Sequence, residues 1–338
     1  MLKRTFLLTV TLTAATISMA NPIDGKTAVL PAATRPITVV DYLKSISGRK
    51  VISGIHNREP NSRPSLQTDQ LYRLIGKYPA LWSGDFLFKD DDINSRWAMI
   101  YECKNQWDHG SIVQLMMHVA PPHQAEATVW DGGVLSHYTD AEWEDLVTDG
   151  GHLNTLWKRR LDEYSKYFRF LQQNRVQFLF RPFHEMNQGK FWWGGRPGPR
   201  GTAKLYQLTH DYLTKEKGLH NIIWVWDMQD MSRDFADYDP GRKYWDVFGF
   251  DIYANGYRKE WYDYIVPITG DRPIIIGECS VLPSASLLRD QPRWCGFMSW
   301  AELTFTENTV EEIRALYADD RVVTRDELPV FSRSAVSE

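Results

Sequence analysis

Eight short apolar runs recur along the chain, and longer stretches of amphipathic spacing separate them. The runs are Val51–Ile55, Ala80–Gly84, Ile112–Met117, Val176–Phe180, Ile222–Trp226, Val247–Phe250, Pro273–Gly277 and Gly296–Trp300. Each has strand length and is apolar at odd and even positions alike, the pattern of a strand covered on both faces. Between them the spacing changes to three and four. Leu153, Trp157, Leu161, Tyr164, Phe168 and Leu171 form one stripe, which predicts a helix over 153–173. Shorter stripes predict helices over 69–75, 96–107, 203–217 and 310–318. Eight strands alternating with helices predict an α/β fold of the (β/α)8, or TIM-barrel, type in a single domain spanning 45–330. An open doubly wound sheet is the rival architecture, but no G-x-G-x-x-G follows a strand here.

The ends of the chain read differently. Lys3 and Arg4 precede a short apolar run from Phe6 to Ile17, and Ser18-Met19-Ala20 offers small residues for cleavage. Residues 1–20 are therefore expected to be a signal peptide, and the protein to be exported, periplasmic or secreted. No later stretch is long and apolar enough to predict a membrane span. Residues 21–44 are expected to be an N-terminal extension, and 331–338 a C-terminal tail. Cys279 and Cys295 fall at the end of one predicted strand and the start of the next. Parallel neighbours hold such positions at opposite rims, so no disulfide is expected between them.

In a parallel barrel, reactive groups sit where the strands end. The residues found there are His56, Asp85, His118, Arg181 with His184 and Glu185, Asp227, Asp251 with Tyr253, Glu278, and Trp300. Strands four and seven lie across the mouth from each other, so Glu185 and Glu278 can converge over the axis. Carboxyls about 5–5.5 Å apart suit a retaining glycosidase, and about 6.5–9.5 Å an inverting one. A salt bridge at the rim is the plain alternative for either glutamate.

Composition narrows the choices. A net charge of -4 over 338 residues provides no basic field for nucleic acid. Fourteen Trp and sixteen Tyr are many for this length, and suit either an aromatic core or a cleft that stacks on sugar rings. Gln188 stands where His-Glu-x-x-His needs its second histidine, and no Cys-x-x-Cys occurs. Neither a metal nor a cofactor is expected. A non-catalytic sugar-binding barrel could lose either glutamate, yet both are present.

The heptad Arg181-Pro182-Phe183-His184-Glu185-Met186-Asn187, followed by Phe191-Trp192-Trp193-Gly194, resembles glycoside hydrolase family 26. Shorter matches follow the same order: His118, Gly249-Phe250-Asp251-Ile252-Tyr253, Gly277-Glu278 and Trp300. The resemblance covers about residues 45–305. That family holds β-1,4-mannanases, with some β-1,3-xylanases and mixed-linkage β-glucanases. The resemblance implies a clan A barrel, a retaining mechanism, Glu185 as acid/base and Glu278 as nucleophile. It implies that His184 hydrogen-bonds near the pair, that Tyr253 orients the nucleophile, and that Trp300 lies under the sugar. It also implies that His118 and Asp251 touch hydroxyls, while Trp192 and Trp193 shape the leaving side. The expected partner is a mannan-type polysaccharide or oligosaccharide, and the expected state a monomer. Two positions depart from the pattern. Lys190 replaces a frequent Trp, and Cys279-Ser280 replaces an aromatic after the second glutamate.

Overall fold

The computed structural model describes residues 36–253 and 256–332. The expected signal peptide, the extension up to residue 35 and the tail from 333 lie outside the described residues. The barrel strands are β1 (Val51–Ile52 and Gly54–His56), β2 (Leu81–Asp85), β3 (Ile112–Met116), β4 (Phe178–Arg181), β5 (Ile222–Gln229), β6 (Val247–Ile252), β7 (Ile274–Cys279) and β8 (Trp294–Ser299). Neighbours pair in parallel around the ring, and β8 bonds to both β7 and β1. The circle is therefore closed, and the eight apolar runs are its eight staves.

The first stave is interrupted at Ser53, whose backbone N–H and hydroxyl both donate to the Val323 carbonyl, at 3.0 and 2.8 Å. This ties β1 to a short ninth strand, β9 (Val322–Val323), outside the ring. Two residues are too few to show a period in sequence. Gly54 follows the break because a Cβ there would lie 2.8 Å from the Phe297 carbonyl oxygen.

The long helix forms over His152–Gln173 and buries the whole stripe of six apolar residues. Helices also form over Leu66–Ile75, Arg96–Asp108, Thr202–Asp211 and Val310–Tyr317. The segment read as one helix to 217 changes to a wider π-helical turn over Tyr212–Glu216. Further helices cover Val39–Ile46, Asp140–Val147, Lys259–Thr269 and Ala285–Asp290. Pro267 lies inside the third of these and reads as a breaker in sequence. Helix Val39–Ile46 lies across the expected domain start at residue 45. It docks Val39, Leu43 and Ile46 on the core at i, i+4, i+7 spacing.

Trp82, Trp107 and Trp226, open between cleft and core in sequence, are all buried in the core. Cys103, Cys279 and Cys295 are free thiols, also buried. No helix among the described residues is long and apolar enough to cross a membrane.

Candidate active site

The site is organised by a buried cation. Arg181 closes β4, is fully buried, and reaches three other strand ends. One guanidinium nitrogen bonds both oxygens of Asp251 at 2.7 Å, and Nε bonds Asp227 at 3.1 Å. The remaining nitrogen donates to the Gly277 carbonyl at 3.1 Å and to Glu278 Oε1 at 3.2 Å. Burial opposes the charge on Arg181, but Asp227, Asp251 and Glu278 outweigh it and hold the guanidinium protonated. The rigid five-donor fork suits this task, where a lysine would supply only a point charge.

Glu278 faces this cation because of an irregularity in β7. Phe250 pairs with Ile276, but Asp251 pairs with Glu278, so Gly277 is an extra residue. In a regular strand, neighbours point to opposite faces. Here a Cβ on Gly277 would lie 2.5 Å from Asp251 and 2.6 Å from Asp227, yet Glu278 bonds the same arginine. The bulge turns two successive positions toward the axis, and only glycine fits the first. Tyr253 donates its hydroxyl to Glu278 Oε2 at 2.9 Å. Both carboxylate oxygens of Glu278 are thereby occupied by donors.

Glu185 is held differently. It sits at φ 54°, in the left-handed region that costs a non-glycine residue about 1–3 kcal/mol. Asp227 stabilises that turn by accepting from the Glu185 backbone N–H at 3.1 Å, while its own carbonyl accepts from Met186 N–H at 3.2 Å. The Glu185 carboxyl contacts the Gln188 side-chain amide. One oxygen each of Glu185, Asp251 and Glu278 lie within 4.8 Å of one another. Burial raises all three carboxyls, against the pull of Arg181. Glu185 is pushed well above the usual carboxylate range, first by burial and then by the charges of Glu278 and Asp227. Glu278 is raised by burial too, but Arg181, His118 and the Tyr253 hydroxyl favour its ionised form. Glu185 has no cation in hydrogen-bond contact, so it is the better holder of a proton. The cluster thus offers one protonated and one ionised glutamate side by side. Its three carboxyls could in geometry ligate a metal, but Arg181 already supplies the compensating positive charge.

A wall of rings flanks the pair. His118 Nδ1 lies 2.6 Å from Asp85 Oδ2, and its backbone N–H donates to Oδ1 at 2.9 Å. A carboxylate there requires the proton on Nδ1. Burial alone would raise Asp85, but His118 outweighs it and holds the carboxyl below its ordinary value. Trp300, partly exposed, stacks on His56 at 4.3 Å and 18°. His184 packs edge-on against His118 at 4.4 Å, and its Nδ1 is buried without a hydrogen-bond partner. Packing, rather than a bond through Nδ1, places this ring. Trp193 donates from its indole to the His184 carbonyl at 3.0 Å and stacks on Phe191 at 4.5 Å.

Three expected ligand contacts are revised by this geometry. Trp192 and Trp193 are 1% and 0% exposed, so neither offers a face to a sugar. They form the wall behind His184, and the Trp192 indole is spent on the Val119 carbonyl at 2.9 Å. Asp251 is fully buried with both oxygens on Arg181, so it braces the site instead of touching hydroxyls. The roles of Asp227 and Gln188 were missed. Asp227 closes a strand as the others do, and nothing in its sequence context separates it from them. Trp130, 37% exposed, lies 5.8 Å from the His118 ring, with the Lys190 ammonium 5.5 Å over its own ring. Cys279 is inert by burial, which pushes its thiol up to about 12.

His56 provides a test by pH. Burial, against the pull of Asp85, lowers it to about 3. Its folded value is depressed, so below about pH 6.5 the unfolded chain takes a proton that the folded chain refuses. Its contribution is therefore intact above pH 6.5 and lost as pH falls toward 3. Between pH 7 and pH 5 the stability advantage of wild type over His56→Gln is expected to shrink by about 2 kcal/mol, at 1.36 kcal/mol per unit. Urea unfolding at the two pH values measures it, and a constant difference would contradict a neutral His56.

A closed parallel barrel carrying a carboxyl pair at the ends of its fourth and seventh strands defines a class of carboxyl-pair barrel enzymes. The glycosyl hydrolase family 26 profile matches residues 29–327, and the chain belongs to that family. It is 28% identical over 303 residues to a mannan endo-1,4-beta-mannosidase of Thermothelomyces thermophilus, covering 85% of this chain and 60% of that protein. It is 27% identical over 291 residues to one of Bacillus subtilis, covering 79% and 78%. Several curated relatives are longer, and the chain spans 52% to 65% of four of them. Among solved structures, GH26A from Muricauda sp. MAR_2010_75 superposes with a TM-score of 0.82 at 33% identity, covering 86% of this chain and 96% of that one. A beta-mannanase from a symbiotic protist of the termite Reticulitermes speratus, complexed with gluco-manno-oligosaccharide, gives 0.74 at 25%, covering 86% and 93%.

Proposed function

We propose that the chain hydrolyses β-1,4-mannosidic linkages in mannan-type polysaccharides with retention of configuration. The observation that carries this reading is the approach of Glu185 and Glu278 within 4.8 Å in opposed surroundings. Oxygens this close favour a double displacement over one that needs a water between the carboxyls. The names of the curated relatives support mannan as the substrate. Trp300 forms the platform under the sugar, and His118, oriented by Asp85, meets its hydroxyls. Glu278 attacks the anomeric carbon from the α face as Glu185 protonates the departing oxygen. The glycosyl–carboxylate ester then has the α configuration. Glu185, now ionised, takes a proton from water, which displaces Glu278 and restores the β configuration. Tyr253 and Arg181 hold the leaving carboxylate throughout. Export through the residue 1–20 leader belongs to the same proposal.

Glu185→Ala is expected to lower kcat/KM on mannan by about 10²–10⁴-fold, the usual span for a lost general acid. An aryl β-mannobioside with a dinitrophenol leaving group needs no protonation, so its first step is retained. Its ester then accumulates, and both kcat and KM fall. The alkaline limb of the pH profile, set by protonated Glu185, disappears. Full activity on mannan would overturn the assignment. Product profiles of wild type on mannohexaose, xylan and lichenan test the substrate, and preferential turnover of xylan or lichenan would overturn mannan.

A further inference from the structure

A row of polar side chains crosses the barrel interior and ends against Trp300. Strand register sets His56 of β1 beside Ser83 of β2, and Ser83 beside Gln114 of β3. All three are fully buried. Branched apolar residues usually fill such a layer, and a buried polar group is costly unless it is bonded. Here the row bonds to itself. The Gln114 amide donates to Ser83 Oγ at 3.1 Å, and Ser83 Oγ lies 2.9 Å from His56 Nδ1.

Such a row can run in either direction, and Asp85 chooses one. Asp85 Oδ2 lies 3.8 Å from His56 Nε2, too far for a hydrogen bond but near enough for the charge to act. A proton on Nε2 turns the positive edge of the ring toward the carboxylate, whereas a bare nitrogen would turn a lone pair toward it. The neutral His56 therefore carries its proton on Nε2, and its Nδ1 accepts from the Ser83 hydroxyl. Ser83 can donate there because its oxygen accepts from Gln114 at the same time. The same Asp85 oxygen lies 2.6 Å from His118 Nδ1, so one carboxylate settles the tautomers of both histidines.

The imidazole of His56 is thus held on both edges, and the Trp300 indole lies on its face at 4.3 Å and 18°. The Trp300 backbone is fixed separately. Its N–H donates to the Cys279 carbonyl at 2.8 Å, and Ala301 turns the chain at φ 38°, in the left-handed region. With the backbone set, the ring beneath the indole governs its tilt.

We propose that Ser83 and Gln114 are positioning residues for the reaction, holding His56 in one orientation and, through it, the plane of Trp300 under the sugar. The inference rests on the function proposed above, in which Trp300 is the platform. Neither residue touches the substrate, and their effect passes wholly through the two stacked rings. Misplacing a group that orients the reacting sugar by about 1 Å can cost about 10²-fold, so a changed tilt has a measurable effect.

The test is a double-mutant cycle in the full chain, read on a dinitrophenyl β-mannobioside, which keeps slow variants measurable. Ser83→Ala removes the hydroxyl that fixes His56, and kcat/KM is expected to fall about tenfold. In a Trp300→Ala background the same substitution is expected to change kcat/KM less than twofold, because the platform it positions is gone. Gln114→Met, which removes the donor to Ser83, is expected to show the same pattern with a loss of about threefold, and it carries the cycle if Ser83→Ala does not fold. A loss that persists undiminished without Trp300 would mean general damage to the fold and would refute the positioning role. So would a Ser83→Ala variant within twofold of wild type. Wild type inactive on the mannobioside would instead remove the proposed function, and the positioning role with it.

Discussion

Glu278→Ala is expected to lower turnover of β-mannan by about five orders of magnitude, or about 7 kcal/mol of transition-state stabilisation. The size follows from what the carboxylate does. It forms the bond that replaces the departing oxygen, and no neighbour can substitute. Asp251 is near but has both oxygens on Arg181, and Glu185 is the proton holder. Removing Glu278 also frees one donor of Arg181 and the Tyr253 hydroxyl, which leaves a small polar cavity on the α face. Azide entering that cavity is expected to restore cleavage of an aryl β-mannobioside and to yield the α-mannosyl azide, the product of one inversion. In Glu185→Ala the same anion meets the glycosyl ester and yields the β-azide. The two variants thus report their roles by opposite stereochemistry. A Glu278→Ala variant with activity within tenfold of wild type would remove Glu278 from the mechanism.

The second large effect concerns stability. Arg181→Met is expected to cost about 3–5 kcal/mol, the range for removing one partner of a buried ion pair. Asp227, Asp251 and Glu278 would all face one another without the guanidinium that now separates their charges. Activity should fall with stability, because Glu278 would hold its proton to higher pH and lose its nucleophilic form. A second substitution isolates the cause. Asp251→Asn in the Arg181→Met background removes one of the stranded charges and is expected to recover part of the lost stability, measured by urea unfolding. Additive losses in the double variant would contradict a charge network, since groups in one network couple.

Much of the barrel was legible because its strands are buried on both faces, and runs such as Ile222–Trp226 and Pro273–Gly277 are apolar throughout. What escaped was whatever depends on two or three residues or on a distant partner. The two-residue strand Val322–Val323 has no period to read, and Pro267 disguised a helix. In the site, Glu185 and Glu278 could be picked out because strand order alone places them across the mouth. Direction of the side chains could not be read. The bulge at Gly277 depends on Asp227, Asp251 and Arg181 arriving from three other strands. The family resemblance puts Trp192 and Trp193 on the leaving side, but their burial depends on which side of the loop faces His184. Packing there turned both indoles inward. Lys190, which departs from the family pattern, sits beside Trp130 from a different loop, a meeting no local reading could show.

Two carboxyls this close divide the work, one acting on carbon and the other on the proton, and the first sugar released keeps the signature of two successive displacements. Proton NMR of a mannohexaose digest, recorded before mutarotation, reads it directly. The expected spectrum shows the β-anomeric proton of the new reducing end first, with the α signal growing in later. An initial α signal would mean a single displacement by water and would contradict the account.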